Sequence, residues 1–323
     1  MIDQQLTSLE VCAGAGGQAL GLEAAGFRHI ALSEIDLHAR NTLRLNRPEW
    51  NVLEGADADI KTFDGRPYAG RVDLLAGGLP CPPFSVAGKQ LGADDERNLF
   101  PDFLRLVEEI RPRAILIENV RGFLDASFAD FRDTFRRDLA KLGFTLDYRL
   151  LNASDFGVPQ LRPRVAIIGL PKDTETSFDW PDASDLPARS VGDTLYPLMA
   201  AEGWTGAKAW ARNAQGIAPT LVGGSKKHGG PDLGPTRARK AWEALGVNGK
   251  SLADAPPDKD FVGLPRLTVP MAAAIQGFPP DWVFSGRKTP AYRQVGNAFP
   301  PPVAEAIGRA LAKVLSRTAA VAA

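Results

Sequence analysis

The sequence predicts an α/β protein: a Rossmann-like, mostly parallel sheet covered by helices, with a smaller, irregular domain after it. Three observations carry that reading. Short apolar runs alternate with segments of helical spacing through the first half, and a glycine-rich turn follows the first run. After Pro171 the pattern gives way to a stretch rich in Gly, Pro, Ser, Asp and Lys.

In chain order, "TSLEVCAG" is a short apolar strand entering a glycine turn, "QALGLEAAGF" has helical spacing and ends at Gly26, and "HIALSEID" is the next strand. "RVDLLAGG" and "RAILIENV" are further buried strands, each closing on a polar or glycine-rich turn, with the helical "LFPDFLRLVEEI" between them. Such alternation implies right-handed strand–helix–strand units. "GFTLDYRLLNA" and "RPRVAIIGL" form a hairpin-like pair that extends the sheet. From Pro171 to about Pro265 periodicity is weak, and a second, smaller domain is expected there. Regular structure returns in "TVPMAAAIQGF" and in the terminal helix "PVAEAIGRALAKVLSR", whose apolar positions suit packing back on the first domain.

At 323 residues the chain can bury one sizeable α/β core with room for an insert. Hydrophobic residues make up 44% and charged residues 24%. No apolar run approaches the ~20 residues of a membrane span, so no membrane partner is expected. The N-terminal "MIDQQLTSLEVCAGAGG" has neither a basic segment leading into an apolar one nor a cleavage signal, which suggests a cytoplasmic protein. With 2 cysteines far apart and 3 histidines, neither a disulfide framework nor a metal site is expected. The formal net charge is zero, without the basic excess usual in nucleic-acid-binding domains. Its distribution is uneven. Between Gly203 and Lys250 stand Lys208, Arg212, Lys226, Lys227, Arg237, Arg239, Lys240 and Lys250 against only Asp232 and Glu243. Such a segment is either a solvated face or a phosphate-contacting surface.

"CAGAGGQALG", Cys12 to Gly21, lets backbone approach a ligand and leads into a helix N-terminus with free amides. About 20 residues on, Glu34 and Asp36 close the next strand, where a carboxylate accepts the ribose hydroxyls of an adenosine. Together these point to a nucleoside cofactor, either NAD or S-adenosylmethionine. Asp59, after the third strand region, suits an adenine amino group. Cys81 lies in "VDLLAGGLPCPPFSVAGK", at the strand edge where open α/β sheets place ligands, with Pro80, Pro82 and Pro83 stiffening the loop. The plain alternative for any such cysteine is a small buried hydrophobe. In "ILIENV", Glu118 and Asn119 end a neighbouring strand, and a carboxyl there is a general acid/base candidate. "QLRPRVAIIG" supplies Arg162 and Arg164 at i, i+2, expected to point to one face, where paired guanidinium groups can hold a carboxylate, a phosphate or a base carbonyl.

In order, "GAGGQALGLEAAGF", "SEID", "GGLPCPPFSVAGK", "RNLFPDFLRLV", "ENV", "QLRPR", "LTVPMAAAIQGFP" and "QVGNAFPPPVAEAIG" resemble the motifs of bacterial DNA (cytosine-5)-methyltransferases over nearly the whole chain. The resemblance implies the S-adenosylmethionine methyltransferase fold. It divides the chain into a catalytic and cofactor-binding domain (1–188), a target-recognition domain with hinge (189–284) and a C-terminal segment completing the catalytic domain (285–323). It also implies methyl transfer from S-adenosylmethionine to C5 of a flipped-out cytosine in a specific short duplex DNA sequence. Cys81 would add to C6, Glu118 would hydrogen-bond or protonate N3, Arg164 would bind O2, and Arg162 would support the Glu and the phosphate side. Residue by residue, the cofactor pocket would use Cys12, Ala13, Gly14, Gly17, Glu34, Ile35, Asp59, Ile60, Pro80, Leu99, Asn297 and Ala298. DNA contacts would come from Ser85, Thr220, Lys226, Lys227, Arg237 and Arg239. The implied protein is a monomer acting on double-stranded DNA. A cognate restriction endonuclease would depend on neighbouring genes.

Four positions, in three departures, differ from the family pattern. Cys12 replaces an aromatic that normally touches the cofactor, Pro82 replaces a Gln after the catalytic cysteine, and Met271 and Ala274 replace a Glu and an Arg whose ion pair ties the domains, so apolar packing is expected instead. Two other readings of the same fold are a tRNA cytosine-5 methyltransferase, whose Cys-Phe-Thr element is absent here, and a catalytically silent DNA-binding regulator.

Overall fold

A computed structural model describes residues 5–80, 98–174, 178–183, 189–223 and 230–321. The strands and helices of its first half are β1 (Thr7–Val11), α1 (Gly17–Ala24), β2 (Arg28–Ser33), α2 (Leu37–Asn46), β3 (Leu74–Gly77), α3 (Phe100–Ile110), β4 (Ala114–Val120), α4 (Ala129–Lys141), β5 (Phe144–Asn152), β6 (Gln160–Leu161) and β7 (Pro163–Pro171). The second half adds α5 (Val191–Met199), α6 (Ala207–Asn213), β8 (Ala218–Pro219), α7 (Thr236–Ala244), α8 (Val269–Gln276), α9 (Lys288–Asn297) and α10 (Pro301–Val321).

Six strands form one sheet in the order β2-β1-β3-β4-β7-β5. β2, β1, β3 and β4 run parallel, while β7 is antiparallel to both β4 and β5. The sheet is therefore parallel apart from β7, and the expected β5–β7 pair does extend it. Every residue of β3 and all but the last of β4 are buried, as strands covered on both faces require. Alternation along the strands divides the core. Leu9, Val11, Leu75, Ile115 and Ile117 pack with Phe103 and Leu106 of α3, whereas Leu74, Ala76, Leu116 and Ile168 pack with Leu22 of α1 and Ile307 and Leu311 of α10.

Close approach of α1 and α10 depends on glycine. A Cβ at Gly21 would lie 2.6 Å from the Glu305 amide nitrogen and would also overlap Pro301 O. Gly21→Ala is expected to destabilise the fold by about 1–3 kcal/mol through overpacking, measured as a lower urea midpoint at unchanged slope.

The region of weak periodicity holds the short helices α5, α6 and α7 and the strand β8, which pairs in parallel with β6 from the first half. Its anchors Leu195, Met199, Trp204, Trp210 and Trp242 join one apolar cluster that also takes Leu20, Leu32, Leu43 and Trp50 from the first half. Met271 is fully buried in that cluster and Ala274 packs against it. The Met271 thioether also accepts from the Thr268 amide at 3.4 Å while Thr268 Oγ1 caps the Met271 amide at 3.3 Å. Apolar packing and a helix cap thus occupy the place of the missing ion pair. In the third strand region a single bridge, Leu32 with Val52, replaces a full strand. Among the described residues, no helix is long and apolar enough to cross a membrane, and no cluster of His, Cys, Asp and Glu could hold a metal ion.

Candidate active site

The chain order reverses beside β1: β2 lies on one side and β3 on the other. The carboxyl ends of β1, β3 and β4 converge at this switch point, where open α/β sheets bind ligands. Leaving β1, the chain turns through left-handed conformations at Cys12 (φ 52), Gly14 (φ 56) and Gly16 (φ 88) and enters α1 without a side-chain cap. Only the strain at Cys12 falls on a residue with a Cβ. The turn is tied to β2 through the carboxylate of Glu34, which accepts from the Gly14 amide and the Asp36 amide at 2.7 Å each. Burial pushes that carboxyl up from its ordinary range, and the two amides offset part of the rise. Asp36, paired with Glu34 in the sequence, instead caps α2 by accepting from His38 and Ala39 amides.

A cavity of about 270 Å³ opens here. Its wall includes Cys12, Ala13, Gly14, Gly17 and Glu34 from the first two strand ends, Gly78 and Glu118 from the next two, and Asn297 and Ala298 from the C-terminal side. The other expected cofactor residues are not on this wall. Ile60 and Leu99 pack in the apolar cluster that Cys12 also touches. Asp59 Oδ1 accepts from the Lys61 amide at 3.0 Å, Ile35 is 66% exposed, and Pro80 is exposed. The Cys12 thiol is held far above its usual range, first by burial and then by the surrounding carboxylates of Glu34, Asp59, Glu10 and Asp102. Both effects disfavour the thiolate, which is the nucleophilic form.

Glu118 sits opposite Ala166 in the β4–β7 ladder, which makes Arg164 its diagonal neighbour on the same face. Arg164 Nε lies 2.7 Å from Glu118 Oε1, and both side chains are only 11% exposed. Burial raises the Glu118 pKa, while Arg164 and then Arg162 pull it back. Asn119 serves the next loop: its Nδ2 donates to Leu79 O at 3.1 Å, fixing the segment that leads to Cys81. Cys81, Pro82, Ser85, Lys226 and Lys227 lie outside the described residues.

Arg162 corrects an expectation. Arg162 stands just before β7, which begins at Pro163, and its charge acts on Glu118 together with that of Arg164. Its guanidinium is completely buried and donates to Leu221 O at 2.8 Å, Gly296 O at 2.8 Å and Ala298 O at 2.9 Å. No surface is left for a phosphate. Gln160 and Gln276 extend the clamp, Gln160 by accepting from the Leu221 amide and donating to Gln276 Oε1. Next to Leu221, Thr220 Oγ1 donates to Leu161 O at 2.5 Å. Arg237 and Arg239 lie on α7, the first exposed and the second half-buried.

Sequence reading overlooked Glu10 and Gln18, which also line the cavity, and the glutamines of the clamp. The available signal was polarity: Glu10 interrupts an apolar strand, and Gln160 and Gln276 sit among apolar neighbours.

Residues 6–313 match the family model described as C-5 cytosine-specific DNA methylase. The chain belongs to that family. This C-5 cytosine-specific DNA methylase is 53% identical over 317 residues to the Type II methyltransferase M.NaeI of Lentzea aerocolonigenes, covering 97% of this chain and 76% of the relative. It is 52% identical over 320 residues to the Type II methyltransferase M.NgoMIV of Neisseria gonorrhoeae, covering 97% and 99%. The methylase also superposes on a putative DNA modification methyltransferase encoded within an E. coli prophage, with a TM-score of 0.69 and 25% identity over 96% of this chain and 99% of that one. The S. pombe Dnmt2 methyltransferase shares its fold, with a TM-score of 0.65 at 17% identity, over 98% of this chain and 100% of that one.

Proposed function

We propose that this DNA (cytosine-5)-methyltransferase takes its methyl group from S-adenosylmethionine and delivers it to a cytosine swung out of duplex DNA, through a covalent bond between Cys81 and C6. The observation that carries the reading is a single cavity running from the Glu34-braced glycine turn to Glu118. The residues fit the cofactor. Glu34 retains acceptor capacity for ribose hydroxyls, Gly14 has open space where a Cβ would stand, and Asn297 and Ala298 close the other side. Bound there, S-adenosylmethionine supplies an electrophilic methyl group on a sulfonium.

The chain's own residues prepare the base. Cytosine is a poor electrophile, so addition of the Cys81 thiolate at C6 needs the ring to accept electron density. Glu118, whose burial favours the protonated acid, gives a proton to N3, and Arg164 binds O2. C5 of the resulting enamine is nucleophilic and gains the methyl group. Loss of the C5 proton to water restores the double bond and expels Cys81 as the thiolate, and N3 returns its proton to Glu118. Arg162 holds the carbonyls around this chemistry in place.

We assign base reading to residues 189–284 and methyl transfer to 1–188 with 285–323, in a monomer working in the cytoplasm. The names of the relatives suggest a Type II restriction-modification system with a cognate endonuclease. Incubation with tritiated S-adenosylmethionine and either duplex DNA or tRNA tests the reading; label in DNA supports it, and label in tRNA alone rejects it. If Lys226, Lys227, Arg237 and Arg239 hold phosphates, each change to Ala weakens binding alike for all DNA sequences and reduces the salt slope by about one. Wild-type slopes in all four variants would make the cluster a solvated face.

A further inference from the structure

At the carboxyl end of β4 the fold leaves a valine in the open beside the chemistry. Val120 is 42% exposed, although the rest of β4 is buried. It lies two residues beyond Glu118 on the same strand and directly opposite Arg164 in the β4–β7 ladder. Side chains at i and i+2, like those of directly opposite residues, project from one face of a sheet, so Val120 shares its face with the acid and the guanidinium. Two strand residues advance about 6.6 Å toward the ligand edge. Arg121, which is exposed, opens the turn that follows. Acid, apolar side chain and cation thus succeed one another outward, the order in which a nucleotide presents base, sugar and phosphate.

We propose that Val120 is a specificity-determining residue that selects deoxyribose over ribose at the target nucleotide. The inference rests on reading Glu118 and Arg164 as the groups that hold cytosine N3 and O2. In cytosine N1 carries the sugar and is bonded to C2, so the sugar leaves the ring beside the O2 that Arg164 binds, on the side where Val120 stands. The donors around Val120 are already committed. Its own amide donates to Asn119 Oδ1 at 2.9 Å, Arg164 Nη1 donates to Pro163 O at 2.9 Å, and Arg164 Nε stands 2.7 Å from Glu118 Oε1. What remains for the sugar is the pair of valine methyl groups. They suit the C2′ methylene of deoxyribose, whereas a 2′-hydroxyl pressed against them gives up water and gains no partner.

The test uses duplexes that carry the recognition sequence and are deoxyribonucleotide throughout except at the target cytosine, whose 2′ position bears hydrogen, hydroxyl or fluorine. Transfer of tritium from S-adenosylmethionine gives kcat/KM for each. Fluorine favours the ribose pucker but cannot donate a hydrogen bond, so it separates sugar shape from hydroxyl desolvation. The parent is expected to use the hydroxyl duplex roughly 10–100-fold less well than the deoxy duplex, and the fluoro duplex within a few-fold of it. Val120→Thr, nearly equal in shape, supplies a hydroxyl partner; it is expected to act several-fold more slowly on the deoxy duplex and to shrink the hydroxyl penalty to a few-fold. Val120→Ile stays apolar and is expected to keep the penalty. A parent that uses hydroxyl and deoxy duplexes alike, a fluoro duplex as poor as the hydroxyl one, a penalty unchanged in Val120→Thr, or one lost equally in Val120→Ile overturns the selection. In each of those results the deoxy duplex is still methylated, and the cytosine site stands. Label in none of the duplexes overturns the reading of that site, and the selection with it.

Discussion

Glu118→Gln is expected to lower the single-turnover rate of methyl transfer by roughly 10²–10⁴-fold, with DNA and S-adenosylhomocysteine affinities within a few-fold of the parent. Glutamine preserves the shape beside Arg164, and its amide still hydrogen-bonds, but it has no proton to give to N3. Electrostatics set the pH dependence. Burial raises the Glu118 pKa against the pull of Arg164 and Arg162, so the competent acid is present below that raised value and is lost as pH climbs through it. The parent should therefore show an alkaline limb in its single-turnover rate, superposed on a rise as the Cys81 thiol ionises. In Glu118→Gln the alkaline limb should vanish and the thiolate rise remain. A rate within threefold of the parent would remove Glu118 from the chemistry.

The second large effect belongs to Arg162. Leucine in its place would strand the carbonyls of Leu221, Gly296 and Ala298 in a fully buried position. Each orphaned acceptor costs about 1–3 kcal/mol, so a loss of about 3 kcal/mol or more is expected in urea unfolding. Some relief opposes it, because burial and the neighbouring Arg164 charge already disfavour the Arg162 cation. Three carbonyls outweigh that relief, since a guanidinium satisfies them at once and a lysine ammonium is not shaped to. The clamp joins the segment beside Thr220 to the turn that closes the cavity, so Arg162→Lys should weaken DNA and S-adenosylhomocysteine binding together. Stability of Arg162→Leu within 1 kcal/mol of the parent would refute the clamp.

The central strands β3 and β4 were legible because they are covered on both faces and read as unbroken apolar runs, in "VDLLAGG" and "RAILIENV". Glu118 and Glu34 were legible as cavity residues because they stand near the carboxyl ends of parallel strands, the edge where open α/β sheets place ligands. Arg162 was not. Its carbonyl partners on Leu221, Gly296 and Ala298 lie 59 to 136 residues away in sequence, and no local pattern announces such a clamp. The helices α5, α6 and α7 were hidden by their length, since 7–9 residues show barely two turns of periodicity and Pro197 interrupts the first of them. α2, α4 and α9 were passed over too, although Asp36 is a normal cap for α2. Glu10 escaped notice because strand reading treats a lone acid in an apolar run as a solvent-facing residue. Here that face lies against α1, and the acid ends on the cavity wall.

The central claim is that Cys81 bonds to C6 before C5 is methylated and loses its proton, and a duplex carrying 5-fluorocytosine at the target position tests it most directly. Fluorine cannot leave as a cation, so the sequence should stop after methyl transfer with the enzyme still attached. The account predicts a protein–DNA adduct that survives denaturation, forms only when S-adenosylmethionine is present, and maps by peptide mass to the segment containing Cys81. An adduct at Cys12, or none on DNA known to contain the recognition sequence, would contradict it.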